Sequence, residues 1–259
     1  MTKYFWALIP TLCAVALIAL SVPLNAQTSE IKPKAPMYSY VANWNIPRSQ
    51  WGEIEKSNAA NQDILEKAIA NGTIVAYGSD ENLVHQPEQE THDSFWSANS
   101  LAGVLNLLDQ FYKSGVATAP VFATATKHWD NVYVSRYYNW RSGMFKGAYT
   151  YVAGYRLKPN APDDAVSLLS KNIVAPLLEK MLSNGTIVEY EIDVQAIHTE
   201  APGLFLISYI APTAEGIDKV DAAIIETLKA NPLQGPAFDS MVDFSAHRDE
   251  LLRTNATYK

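Results

Sequence analysis

Residues 66–77, EKAIANGTIVAY, return as residues 179–190, EKMLSNGTIVEY, and this repeat guides the interpretation of the whole chain. In both copies an amphipathic run ends at Asn-Gly, and a run rich in β-branched residues follows at once. Glycine ends helices because it adopts positive φ easily, so each copy predicts a helix, a stop and a strand. The sequence therefore indicates one structural unit that is present twice.

Elements on either side of the repeated stretch also occur in pairs. The pairs are a first strand (38–44 and 149–155), a helix (49–70 and 163–183), a second helix (101–111 and 217–228) and a last strand (128–138 and 247–258). Two further strand-like runs separate the helices of each copy. The resulting order of strand, helix, strand, strand, helix, strand is that of the split βαβ, ferredoxin-like unit.

A four-stranded antiparallel sheet with helices on one face leaves its other face to be covered, and a second copy can cover it. We therefore expect an α+β protein with two tandem ferredoxin-like βαββαβ repeats, at 37–140 and 146–259, packed sheet to sheet as an α+β barrel. In element order and duplication, the chain resembles the dimeric α+β barrel superfamily in its fused, two-repeat form. No motif specific to one family accompanies this resemblance. Two separate domains are the alternative, which the short connection disfavours.

The first 26 residues have the composition of a secretory signal peptide. Lys3 precedes an apolar run at 5–20, and Ala26 supplies the small residue at the expected cleavage site. We expect an exported protein, periplasmic or secreted, in which residues 27–36 form a short linker. A retained membrane anchor is the alternative, although the apolar run is short for a membrane span.

The composition argues against several classes of partner and site. The chain carries 27 Asp and Glu against 20 Lys and Arg, without a clustered basic face, so neither nucleic acid nor an anionic membrane is an expected partner. The single cysteine, Cys13, lies in the predicted signal peptide, so the exported chain is expected to lack disulfides and thiolate chemistry. The sequence also lacks a nucleophile elbow and a phosphate-binding glycine loop.

Four of the five histidines pair when the two copies are aligned, and two of them begin a His-x-Asp pattern. The paired residues are His85 with His198, His128 with His247, and Asp130 with Asp249. Residues two apart on a strand share a face, so each His-x-Asp can form an imidazole–carboxylate pair, which suits a general base or a metal ligand. These six residues are the candidate metal ligands. The alternative is that they are solvated residues at strand ends.

Aromatic residues concentrate on the two first strands. Tyr40, Trp44, Tyr151 and Tyr155 are the candidate ligand-binding residues, because a tyrosine-rich face can line an apolar pocket with polar tips. The alternative is that these rings fill the interface between the two sheets, which bulky side chains suit well.

These patterns lead to three functional hypotheses. The first is an exported small-ligand-binding or stress-related protein whose site lies between the repeats, built as a monomer with pseudo-dimeric repeats or as a homo-oligomer. The second is an oxidoreductase that uses haem or a mononuclear metal held by the paired histidines, since chlorite-dismutase-like and dye-decolourising-peroxidase-like proteins also fuse two such units. The third is a structural or interaction module without a cofactor. The sequence identifies neither a catalytic residue nor a cofactor.

Overall fold

A computed structural model of the chain describes residues 30–86 and 89–259. The predicted signal peptide at 1–26 lies outside the described residues, as do the first three residues of the predicted linker at 27–36. Residues 31–259 make up one unit. Within the described residues no helix is long and apolar enough to cross a membrane.

Eight strands form the sheet within the described residues. They are β1 (Met37–Asn45), β2 (Ala76–Asn82), β3 (His92–Ala98), β4 (Lys127–Trp140), β5 (Gly143–Leu157), β6 (Glu189–Gln195), β7 (Leu204–Ala211) and β8 (Val242–Tyr258). All neighbouring pairs are antiparallel, and the strands close into one barrel in the order β1-β3-β2-β8-β5-β7-β6-β4.

The helices connect the strands. They are α1 (Trp51–Ala70), α2 (Leu101–Ser114), α3 (Ala165–Leu169), α4 (Ala175–Asn184), α5 (Ala214–Ala230) and α6 (Gln234–Met241), with a π-helical segment at Ser170–Val174. The sequence suggests a kink at Pro176 within one long helix. A π-helical segment at Ser170–Val174 leads directly into α4, and Pro176 lies in the first turn of α4. Proline and π-helical segments are both known causes of helix kinks.

The prediction of two ferredoxin-like repeats packed sheet to sheet is wrong, because the eight strands form one closed barrel. Two seams of backbone hydrogen bonds join the halves: β2 pairs with β8, and β4 pairs with β6. Two facing sheets would leave four strand edges unpaired, whereas closure leaves none. The two halves therefore share one sheet instead of facing each other as two sheets.

Alternation along the strands divides the side chains between the inside of the barrel and the helix layer outside it. On β1, Tyr40 and Ala42 belong to a core cluster together with residues of α1 and α2. Ser39, Val41 and Asn43 face the inside of the barrel. The aromatic rings expected to fill an interface between sheets therefore lie outside the barrel and beneath the helices.

The repeated Asn-Gly turns end helices, as the sequence predicts. Gly72 has φ +79° and Gly185 has φ +82°, values that favour glycine. The side chain of Asn71 accepts a hydrogen bond from the Thr73 amide at 2.9 Å, and an equivalent bond follows Gly185 in the second copy. Each turn thus sets where the next strand begins.

Candidate functional site

A cavity of about 740 Å³ lies between the outer face of the barrel and helices α1 and α2. We call it the helix–sheet cavity. Its apolar wall includes Tyr40, Trp44, Leu65, Trp96, Leu108 and Phe111. Its polar groups include Asn61 and Gln62 from α1 and His128 and Asp130 from β4. An apolar cavity of this size with a few polar groups is typical of a small-molecule site.

His128 and Asp130 lie side by side on this wall because residues two apart on β4 share a face. The Nε2 atom of His128 is 3.5 Å from a carboxylate oxygen of Asp130. Its Nδ1 atom is 2.8 Å from the carbonyl oxygen of Asn43, which can only accept a hydrogen bond. The hydrogen of the neutral imidazole therefore resides on Nδ1, which leaves Nε2 as a free base beside Asp130.

The neighbouring strand β1 holds this pair in place. The ring of Trp44 stacks on the ring of His128, with centroids 5.1 Å apart and planes 8° apart. Burial and a hydrogen bond to Asp130 raise the pKa of Tyr40, so its hydroxyl stays neutral and donates to that carboxylate. Tyr40, His128 and Asp130 form one connected group, which we call the first trio.

Asn61 offers an unused hydrogen-bond acceptor at the helix–sheet cavity. Its side-chain oxygen is buried and has no hydrogen-bond partner within the described residues. Gln62, the next residue of α1, instead donates to the hydroxyl of Tyr77 at 2.9 Å. A buried acceptor without a partner costs about 1–3 kcal/mol, so a ligand that donates a hydrogen bond here would recover that energy.

The second half repeats the first trio with the same atoms. His247 Nε2 is 3.2 Å from a carboxylate oxygen of Asp249, and His247 Nδ1 is 2.9 Å from the carbonyl oxygen of Gly154. Tyr151 is hydrogen-bonded to Asp249, and its pKa is raised by burial and by that bond. Tyr155 stacks on His247 with centroids 4.3 Å apart. We call Tyr151, His247 and Asp249 the second trio.

The two trios differ in what covers them. Tyr151 packs against the buried core cluster of the second half, and so do Val166 of α3, Val174 of the π-helical segment and Leu177 of α4. Tyr155 contacts three phenylalanine rings at 5.3–6.1 Å, those of Phe205, Phe238 and Phe244. In the first half the helix–sheet cavity occupies the corresponding layer. The duplication thus produced two trios, and the first trio borders the cavity.

The structure places the other candidate residues apart from the trios. His85 follows β2 with its ring 5.1 Å from that of Trp51, and His198 is exposed in the segment between β6 and β7. In the described part of the chain no three histidine, cysteine or carboxylate side chains converge as a metal site would require. Binding of a metal or of haem stays a prediction.

Sequence reasoning missed the cavity residues that α1 and α2 contribute. Asn61 lies among polar residues of α1, and Phe111 follows the apolar periodicity of an ordinary core helix. Neither residue carries a signal that separates a cavity wall from a packed core. Tyr40 and Trp44 were among the predicted ligand-binding residues, and both line the cavity.

Comparison with known proteins gives a fold but no family. Neither protein-family models nor curated protein sequences match the chain. A putative monooxygenase from Lactobacillus acidophilus matches with a TM-score of 0.63 at 11% identity, covering 87% of this chain and 97% of that one. A putative monooxygenase from Fusobacterium nucleatum matches with a TM-score of 0.62 at 7% identity, covering 87% and 95%. An anthrone oxidase-like protein matches with a TM-score of 0.53 at 8% identity, covering 87% and 94%.

These matches show that the chain shares its overall fold with those proteins. At identities of 7–11% they show a shared fold and nothing finer. The chemistry of this chain therefore has to be argued from its own side chains.

Proposed function

We propose that the protein is an oxidoreductase that binds a small, flat aromatic molecule in the helix–sheet cavity and that His128 takes a proton from this molecule. The observation that carries the proposal is the first trio on the wall of a cavity of about 740 Å³. Export rests on residues 1–26 alone and stays a prediction beside it.

The shape of the cavity favours a flat ligand. Tyr40 and Trp96 stack with centroids 4.5 Å apart and planes 10° apart, so this wall presents a pair of parallel rings. Aromatic ligands pack on such walls in offset or edge-on contacts. The free oxygen of Asn61 favours a ligand that carries a hydroxyl or another donor. A hydroxylated aromatic molecule meets both requirements.

The first trio suits proton abstraction. Neutral His128 accepts a proton at Nε2, and the adjacent Asp130 stabilises the imidazolium that forms. Tyr40 donates to Asp130 and so keeps that carboxylate oriented. Loss of a proton makes an aromatic ligand electron-rich and therefore reactive towards dioxygen. For a methylene between two rings, one dioxygen is consumed while the carbon becomes a carbonyl and one water is released.

The fold comparison supports this reaction class by analogy. Two of the matched structures are described as putative monooxygenases and a third as anthrone oxidase-like. The analogy favours the oxidoreductase hypothesis over an interaction module, and the proposed chemistry comes from the side chains of this chain.

The test uses the full chain with anthrone as the probe, and it follows oxygen uptake and product absorbance. We expect His128→Gln to lower kcat by at least about 100-fold, since a positioned base contributes on that order. The second trio supplies a matched control: His247→Gln removes an equivalent imidazole–carboxylate pair and should change kcat less than about twofold by the same reasoning.

Two results would overturn the proposal. One is the absence of both binding and oxygen uptake with anthrone and related hydroxylated aromatics. The other is an equal loss of activity in His128→Gln and His247→Gln, which would place the chemistry elsewhere. Soret absorbance and metal analysis of the purified protein separate a haem or metal oxidoreductase from one in which His128 alone initiates the reaction.

A further inference from the structure

The inside of the barrel holds a second cavity of about 570 Å³, on the opposite face of the strands from the helix–sheet cavity. We call it the lumen. Among the described residues, eight carboxyl groups and two guanidinium groups line it. Six of the carboxyl groups lie on the strands themselves: Asp80, Asp93, Glu189, Glu191, Asp193 and Glu250. Such a surplus of buried acids requires protons or a cationic partner.

Neutral hydroxyl groups contact several of these acids. Asp80 accepts a hydrogen bond from Thr254, and Asp193 accepts one from Ser135. Glu191 accepts one from Ser39 at 3.4 Å. A hydroxyl donor orients a carboxylate but does not neutralise its charge. The acids of the lumen therefore still need protons or a cation to balance their charge.

The two arginines of the lumen are engaged at its edge. Arg156 donates to the carbonyl oxygens of Ala201 and Pro202, and one of its nitrogens lies 3.9 Å from Glu200. Arg248 donates to the carbonyl oxygen of His247. Neither guanidinium is hydrogen-bonded to one of the six strand acids in the described part of the chain. The interior of the lumen thus lacks a cation of its own.

Glu189 presents an unpaired carboxyl oxygen to the lumen. Its side chain is 2% exposed and lines the lumen, and one carboxylate oxygen has no hydrogen-bond partner among the described residues. Glu189 lies opposite Trp140 on β4 and Ile210 on β7, close to the apolar end of the lumen. A buried carboxyl oxygen of this kind is costly unless a donor reaches it.

We propose that the lumen binds a linear aliphatic polyamine, whose ammonium groups pair with carboxylates at successive depths. On β8, Glu250 lies four residues before Thr254, or about 13 Å along an extended strand. Thr254 lies opposite Asp80 on β2. On β6, the same spacing separates Asp193 from Glu189. Acids distributed over such a depth match charges spaced along a chain.

The apolar groups of the lumen suit the methylene segments of that ligand. Val41, Phe95 and Leu206 share the wall with the acids. A volume of about 570 Å³ exceeds the space that a single metal ion needs, and the described residues hold no three-ligand metal group. An elongated cation with apolar links therefore fits the wall better than a compact ion does.

Release of protons from the carboxyl groups of the lumen provides a second way to measure ligand binding. Burial raises the pKa of Asp80 and of Asp193 to about 6, and burial with neighbouring Glu90 raises the pKa of Glu250 to about 8. An ammonium group nearby favours the ionised carboxylate, so binding should release protons. The remaining titratable or charged groups that line the lumen are Glu90, Tyr133, Arg156, Glu200, Arg248 and Tyr258, while β1 and β7 contribute none.

The experiment is titration calorimetry of the full chain with spermidine, in two buffers of different ionisation enthalpy. We expect binding that releases protons, seen as a buffer-dependent heat. Glu189→Gln should weaken spermidine binding at least about tenfold. The same substitution should raise the Tm of the ligand-free protein, because it removes a buried unpaired acid. Glu226→Gln, on the exposed face of α5, is the charge-matched control and should change neither quantity.

Each remaining outcome overturns the proposal. Spermidine that fails to bind at millimolar concentration excludes it, as does magnesium that binds with proton release where spermidine does not. Equal affinity in wild type and Glu189→Gln would place the amine outside the lumen. A lower Tm with unchanged affinity would make Glu189 a structural residue. If Glu189→Gln does not fold, Asp80→Asn provides the same comparison on the opposite side of the barrel.

Discussion

His92, at the start of β3, shows how burial changes the chemistry of a side chain. It is 7% exposed, and the edge of its ring meets Trp51 with centroids 5.2 Å apart. Its Nδ1 atom is 3.0 Å from the hydroxyl of Thr91. Burial, and then the charge of His85, lower the pKa of His92 to about 4. Burial thus favours the neutral form of a histidine that sequence analysis could not pair with any other.

The lowered pKa of His92 can be measured directly. In a titration followed by NMR of the imidazole protons, we expect the His92 signal to move near pH 4, well below the ordinary value of about 6.5. The variant His92→Gln assigns the signal, because it removes that titration and leaves the others. A midpoint above pH 6 for His92 would contradict the packing described around it.

At the scale of residues, the sequence predicted which side chains of one strand lie side by side better than it predicted which side chains of different strands form a site. His128 and Asp130 were found because a spacing of two places both side chains on one face of a strand. The contribution of Tyr40 depends on the register of β1 against β4, which sets Ala42 opposite Asp130. That register is a long-range property, so the first trio could not be assembled from local spacing.

At the scale of elements, glycine sets how closely the second helix of each half approaches the sheet. A Cβ atom on Gly103 would lie 2.7 Å from that of Ala98 and 2.9 Å from the carbonyl oxygen of Thr73. On Gly216 it would lie 2.8 Å from that of Ala211 and 2.9 Å from the carbonyl oxygen of Thr186. Both contacts are shorter than packed atoms allow, so α2 and α5 depend on glycine for their positions.

Because of these close contacts, alanine at either glycine is expected to destabilise the protein, whereas helix propensity alone would predict stabilisation. Alanine favours helices over glycine by about 1 kcal/mol. We nevertheless expect Gly103→Ala and Gly216→Ala each to lower the free energy of unfolding by about 1–3 kcal/mol, as overpacking does. Gly52→Ala in α1, where no atom lies within 4 Å of the added Cβ, should instead stabilise the protein. Urea denaturation of the three variants checks the prediction, and a stabilised Gly103→Ala would contradict it.

Helices and strands were predictable where their bounds depend on residues close in sequence. The Asn-Gly stops and the long amphipathic helices follow from residues close in sequence. Helix α6 has eight residues, including Gly235 and Pro236, and offers no periodic pattern to recognise. Strand β8 begins at Val242 rather than near His247 because its partner β5 extends to Leu157, opposite Val242. Such extensions depend on a partner strand distant in sequence.

For the molecule as a whole, the acidic lumen links stability to pH. Burial raises the pKa values of Asp93, Glu189 and Glu191 well above the ordinary range, together with that of Glu250. Between the ordinary and the raised pKa, the folded protein retains a proton that the unfolded chain has lost. The stabilisation that these carboxyl groups contribute is therefore present at low pH and is lost as the pH rises through their raised pKa values. His92 has the opposite effect, but only between about pH 4 and 6.5.

Above pH 6.5 the effect of His92 has ended, whereas the carboxyl groups of the lumen still lower the stability as the pH rises. One pKa unit corresponds to about 1.4 kcal/mol, and each kcal/mol changes the Tm of a protein of this size by about 2–4 °C. We expect the Tm of the ligand-free protein to fall by at least about 5 °C over the window from pH 6.5 to 8 on that basis. Glu250→Gln should make the fall smaller. Thermal unfolding followed by circular dichroism measures both, and a Tm that rises over the window would refute the assignment.

The overall architecture was predictable only in part. The duplication and the element order can be read from the sequence. The closed barrel depends on the seams between β2 and β8 and between β4 and β6, which no repeat within one copy reveals. The acidic lumen follows from that closure, since Asp80 and Asp193 lie on different halves and share the interior only after the seams form.

The position of β8 in the barrel constrains when the fold can be completed. This strand is the last of the eight in chain order, yet it pairs with both β2 and β5, one from each half. Until a ribosome has released it, β2 and β5 have open edges, and the acids between them face water. Synthesis of the first half therefore cannot yield a finished half-molecule, and a chain stalled before Val242 presents two edges to which other unfinished chains can pair.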